Sequence, residues 1–196
     1  MQATPFPNVL AFVEGSMERL FVNNNFSYIR LIPVANGASW TAASLAKEIA
    51  SKFKTANANP TFIIVWLDTE KQSCGSSGLE ATIRAALVAA GADPARIFMC
   101  VPDQMSENII LADETLMRSE LRDSAYAYAY EGQNGKSIIN NLFLAAAGRS
   151  YRATTDGVRL LKRMRLWRAA LSSQSADRFY QQVRHIPCWW ILDAVV

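Results

Sequence analysis

The stretch Thr61-Phe-Ile-Ile-Val-Trp-Leu67 constrains this chain more than any other, because seven consecutive apolar or β-branched residues suit a strand buried on both faces. A two-faced strand needs helices on either side and parallel neighbours. Those neighbours are legible. Asn8 to Val13, Tyr28 to Val34 and Arg96 to Val101 are short apolar runs bounded by turn residues. Between them, Thr41 to Lys54 carries Leu45, Ile49 and Phe53 at four-residue spacing with charges between, which predicts an amphipathic helix. Ser16 to Val22 reads as a helix start. Ser77-x-x-Glu80 reads as a capping box opening a helix to about Gly91, after a Ser/Gly loop over Gln72 to Gly78. Strand and helix alternate, so residues 1–125 are expected to form an open, mainly parallel α/β unit.

Beyond Tyr130 the pattern is helical: Lys136 to Ala147, then Thr154 to Leu171 with Thr155-Asp156 as its cap, then Ser175 to His185. Residues 126–196 are expected to form a helical extension packed on the core. It is basic. From Arg149 to Arg184 nine arginines and lysines face two acidic residues, although the whole chain of 196 residues carries only +3.

Composition excludes several classes. With 51% hydrophobic and 19% charged residues the chain is neither disordered nor fibrous. Its longest apolar runs fall short of the roughly 20 residues that span a bilayer. The start has no basic segment ahead of an apolar one, so a cytoplasmic protein is expected. Cys74, Cys100 and Cys188 have no C-x-x-C spacing and His185 is the single histidine, which argues against a disulfide framework and a structural zinc site. Cys100 is expected in a buried strand, Cys74 in a polar loop, and the tryptophans Trp66, Trp167, Trp189 and Trp190 in the core.

The chemistry lies at the strand ends. Glu14 and Glu18 follow the first strand, Asp68 and Glu70 the third, and Glu107 the fourth. In a parallel sheet these chain ends converge on one crevice. Hard divalent cations prefer such oxygen ligands, and magnesium is commonly held by a few carboxylates with waters and substrate phosphates. A charge directly after a buried strand costs several kcal/mol unless it is paired or metal-bound, which singles out Glu14 and Asp68. Gly15 is read as serving a tight turn.

Val13-Glu14-Gly15-Ser16-Met17-Glu18 together with Asp68-Thr69-Glu70 resembles the Toprim family of topoisomerases, primases and nucleases. The likeness is nearest to the branch of overcoming-lysogenization-defect nucleases and small RloB-like proteins. Val101-Pro-Asp-Gln-Met-Ser-Glu107-Asn-Ile-Ile-Leu-Ala-Asp113 resembles a further element of the same branch. Met17 stands where a small hydroxyl residue is usual, and Glu70 where Asp is commoner.

The resemblance implies a Toprim-like fold and a magnesium- or manganese-dependent nuclease acting on DNA or RNA, the effector of an anti-phage system. Glu14 would serve as acid, base or ligand. Asp68 and Glu70 would hold the principal metal, Glu18 and Glu107 a second. The basic C-terminal third suits a polyanion, so Arg159, Lys162, Arg163 and Arg165, with Lys136, would meet the nucleic acid, and Asp113 would be structural or would support the metal-binding carboxylates. The chain has no Gly-x-x-x-x-Gly-Lys, so an ATPase partner of ABC/SMC-like type is implied in trans. A homo-oligomer is compatible with this. A non-catalytic regulatory subunit of an ATPase complex is the alternative. Strand-passing and primase activities are disfavoured for want of a gate with its catalytic tyrosine domain and of a zinc module.

Overall fold

The computed structural model describes residues 8–34, 40–56, 59–70 and 73–184. Four strands, β1 (Val9–Val13), β2 (Ile29–Pro33), β3 (Phe62–Trp66) and β4 (Ile97–Cys100), form one sheet in the order β2-β1-β3-β4. Every pairing is parallel. The fold is therefore an open parallel α/β sheet flanked by helices, as the alternation predicts.

Side-chain alternation along each strand divides the interior into two layers. Leu10, Phe12, Ile63, Val65, Ile97 and Met99 face α2 (Ala42–Ala56) and α3 (Gly75–Ala89). Val9, Ala11, Val13, Ile64, Trp66 and Cys100 face the other way, onto α1 (Ser16–Asn25) and onto helices from the second half of the chain. Those helices are α4 (Glu107–Ala112), α5 (Glu114–Leu121), α6 (Gly135–Ala147), α7 (Val158–Arg163), α8 (Leu166–Ala169) and α9 (Gln174–Val183). Ile139, Phe143, Leu160, Leu166 and Phe179 share one core with β1, so the helical extension is built into the same interior as the sheet. Each such large side chain contributes about 1.5–3 kcal/mol by leaving water.

The edge strand β4 is closed by α9. Gln182 accepts from the Met99 N–H at 3.0 Å and donates to the Met99 carbonyl at 3.4 Å, which satisfies an edge that would otherwise invite another strand.

Four local expectations fail. The capping box does not form, because α3 starts at Gly75 and leaves Ser77 inside its first turn; Glu80 pairs with Arg178 instead. The expected helix Thr154 to Leu171 is a π-helical turn (Ala153–Gly157), α7 and α8. It breaks at Met164, whose ψ of 151° is extended, where the Asp113 carboxylate accepts the Arg165 N–H at 2.9 Å. Asp156 caps no α-helix. Its carboxylate is held by the Arg149 guanidinium through two hydrogen bonds of 2.7 Å and accepts the Arg152 N–H at 3.0 Å. Trp167 lies half-exposed beneath the Arg168 guanidinium, whereas Trp66 is buried as expected. Cys100 is buried and Cys74 exposed. Trp189, Trp190, His185 and Cys188 lie outside the described residues. No helix among the described residues is long and apolar enough to cross a membrane.

Candidate metal centre

Val13, Trp66 and Cys100 stand in one row of the sheet, so Glu14 and Asp68 emerge together at its carboxyl end. Pleat parity sends them to different sides of that rim. Glu14 continues the side of Phe12 and accepts from the Trp40 indole N–H at 3.4 Å. Asp68 continues the side of Trp66. There its Oδ1 accepts from both the N–H and the hydroxyl of Ser106, each at 2.8 Å, while the Trp66 indole N–H donates to the Ser106 oxygen at 3.0 Å.

The loops that carry Asp68 and Glu107 are tied to one another. Thr69, fully buried, donates to the Pro102 carbonyl at 2.7 Å, and the Glu70 N–H donates to the Gln104 carbonyl at 2.8 Å. Glu70 (φ 48°) and Gln104 (φ 64°) are both left-handed without being glycine. Such conformations persist only where surrounding contacts enforce them, and they concentrate at functional sites.

Gly15 is not a conformational requirement. Its φ of −72° and ψ of 154° suit any residue. What excludes a side chain is the Glu18 carboxylate, which lies across it so that a Cβ would collide with Oε2. The glycine gives Glu18 its place under the first turn of α1.

Glu14, Glu18 and Glu107 are almost wholly buried, and Asp68 and Glu70 half-buried. Burial and mutual repulsion raise the acids' proton affinity. Glu14 is pushed from 4.5 to about 7, first by desolvation and then by the charge of Glu70, with a smaller push from Glu18. Glu107 is pushed to about 7 by desolvation and then by Glu18, with relief from Lys136 and a hydrogen bond to Tyr151. Glu18 is raised by desolvation. Asp68 is raised well above the carboxylate range by desolvation, then by Glu18 and Glu107. All five predicted carboxylates thus belong to one electrostatic network.

Two observations bear on cation binding. Among the described residues Glu14 Oε2 is a buried oxygen with no partner at good hydrogen-bond geometry, although the Asp68 backbone N–H lies near enough to the carboxylate to lower its proton affinity, and it is an acceptor that a cation or a proton would satisfy. Among the described residues, no three His, Cys, Asp or Glu side chains are arranged as a ready-made cage. Magnesium does not require one, since one or two carboxylates with water and substrate phosphate suffice. The donor set fits a hard divalent ion on that basis.

The predicted cations fare differently. Lys136, at the start of α6, is near enough to Glu107 to lower its proton affinity. Arg159 and Arg163 both pair with Glu120 on α5. Lys162 is exposed on α7, and the Arg165 main chain is bound to Asp113. Asp113 is fully buried, accepts two bonds from Arg168 at 2.7 and 2.8 Å, and caps α5 through the Leu116 N–H, a structural role as expected.

Sequence reasoning missed Trp40, Ser106 and Tyr151 as partners of the carboxylates. Ser106 sits one residue before Glu107 and carried a signal. Trp40 and Tyr151 lie far from the acids in sequence and carried none.

No protein-family model matches the chain, and neither curated proteins nor solved structures give a significant match.

Proposed function

We propose that this chain is a Toprim-like, divalent-metal-dependent nuclease hydrolysing phosphodiester bonds in DNA or RNA, the effector of an anti-phage system working with an ATPase partner of ABC/SMC-like type. The observation that carries the chemistry is the gathering of five mutually repelling carboxylates at one sheet end, including a buried oxygen with no partner at good hydrogen-bond geometry among the described residues. Such repulsion is a standing cost to the fold unless cationic charge offsets it. The defence role and the ATPase rest on the resemblance of Val13 to Glu18, Asp68 to Glu70 and Val101 to Asp113.

Asp68 and Glu70 would hold the principal magnesium or manganese, with Glu18 and Glu107 at a second position. A bound ion of this type lowers the pKa of water and takes up charge on phosphoryl oxygens. Ser106 orients Asp68 by occupying Oδ1 and leaving Oδ2 for other duties. Glu14, at about 7, is poised to take and return a proton near neutral pH. Tyr151 and Lys136 fix and partly neutralise Glu107.

A second reading, a non-catalytic regulatory subunit, is favoured by one observation. Raised proton affinities let the acids relieve their repulsion by protonation alone. Cleavage of labelled DNA and RNA with magnesium or manganese, with and without a co-expressed ATPase, separates the two. The nuclease reading expects cutting by wild type and none by Asp68→Asn. Equal products from both proteins would refute it.

A further inference from the structure

The sequence suggests that α7 guides the substrate, but its arginines are engaged: Glu120 takes both Arg159 and Arg163. Lys162 on α7 is exposed, and a further uncommitted charge lies off that helix. Arg152 is exposed, and its guanidinium makes no hydrogen bond or ion pair among the described residues. Its backbone is rigidly set. The Arg152 carbonyl accepts from the N–H groups of Thr155, Asp156 and Gly157, and its own N–H donates to Asp156.

Arg152 is extended (φ −122°, ψ 111°), so neighbouring side chains point to opposite sides. Tyr151 turns inward, where it bonds Glu107 and meets Met17 Sδ at 3.4 Å. Ser150 and Arg152 turn outward into a cavity of about 520 Å³ lined also by Arg149, Thr155 and Asp156. A second cavity of about 320 Å³ is lined by Lys136, Ser137, Asn140 and Tyr151 itself. Tyr151 therefore faces the carboxylates and lines the Lys136 cavity, while its chain neighbours Ser150 and Arg152 line the other, so each cavity carries a basic side chain.

Arg149 is fixed in advance. Two hydrogen bonds to Asp156 and the Phe143 ring 5.2 Å away hold its guanidinium at the cavity wall. Its charge is balanced by Asp156, which leaves Arg152 as the excess cation there, flanked by the hydroxyls of Ser150 and Thr155. A guanidinium with adjacent hydroxyls and no carboxylate to spare matches a phosphate group.

We infer that the Arg149–Arg152 segment is a phosphate subsite that holds the backbone of a nucleic-acid strand whose further course reaches the carboxylates. This rests on the nuclease reading for its purpose. The subsite itself is a binding claim that can be tested without cleavage.

The test is fluorescence anisotropy of a labelled single-stranded 20-mer, DNA and RNA, with the full chain in EDTA and over a salt series, beside a competition arm with inorganic phosphate. Arg152→Glu is expected to weaken binding at least tenfold, and the smaller change Arg152→Gln to reduce the slope of log affinity against log salt by about 1. Arg152→Lys should retain most affinity. Lys47→Glu, on α2 at the opposite face of the sheet, should shift it less than twofold. Inorganic phosphate competing as well as an oligonucleotide would mark a small-anion site and overturn the strand assignment. Unchanged binding by Arg152→Glu, a loss on Lys162→Glu in its place, or no binding by wild type would overturn the subsite. Arg152-dependent binding without cleavage under any metal, with the ATPase co-expressed, would instead leave the subsite standing and refute the nuclease reading.

Discussion

Replacing Glu14 by glutamine should stabilise the metal-free protein, and only above a definite pH. The side chain is 4% exposed, Oε1 accepts from Trp40, and among the described residues Oε2 has no partner at good hydrogen-bond geometry. Glutamine keeps the size and the Trp40 acceptor while removing the charge. The folded-state pKa of about 7 lies above the 4.5 of the unfolded chain, so between those values the native state holds a proton that the unfolded state has released. Stability therefore falls as pH rises from about 4.5 to about 7 and is level above that. The whole rise corresponds to about 3 kcal/mol at 1.36 kcal/mol per pH unit, an upper figure for Glu14. Urea unfolding in EDTA at pH 5 and pH 8.5 measures it. Glu14→Gln is expected to gain about 2–3 kcal/mol on wild type at pH 8.5 relative to its difference at pH 5. An equal difference at both pH values, or a variant that loses ground at pH 8.5, would show that Glu14 is not a repelled, desolvated carboxylate.

Millimolar magnesium or manganese should raise the melting temperature of wild type at pH 8 and leave that of Asp68→Asn nearly unchanged, as mass-action linkage requires, and differential scanning fluorimetry reads this directly. Gly15→Ala should fold, since the backbone there is ordinary, yet displace the Glu18 carboxylate; the metal-dependent rise in melting temperature should shrink, and an unaltered rise would refute the packing argument. Asp113→Ala strands the Arg168 guanidinium and frees the N–H groups of Leu116 and Arg165. It should cost about 3–5 kcal/mol in urea unfolding, and a loss under 1 kcal/mol would deny Asp113 its structural role.

The sheet was legible because parallel strands buried on both faces must be continuous apolar runs, and Asn8 to Val13, Thr61 to Leu67 and Arg96 to Val101 are such runs. The strand-end carboxylates were legible for the same reason. Once parallel strands are inferred, Glu14, Asp68 and Glu107 can only arrive at one end. Helix boundaries in the second half were not, because long-range partners set them. Asp113 ends α7 by accepting the Arg165 N–H from 52 residues away, a bond no local pattern announces.

The sequence by itself determined the parallel α/β layering and the shared address of five acids, since both follow from periodicity and strand direction. Tertiary structure alone decided which charges remain available. Arg159 and Arg163 have the same composition signal as Arg152, yet Glu120 from another helix pairs with the first two while the third is left to solvent. Net charge is a sum over residues, but binding depends on the charge that folding leaves unpaired, and pairing depends on which side chains three-dimensional packing brings within a few ångströms.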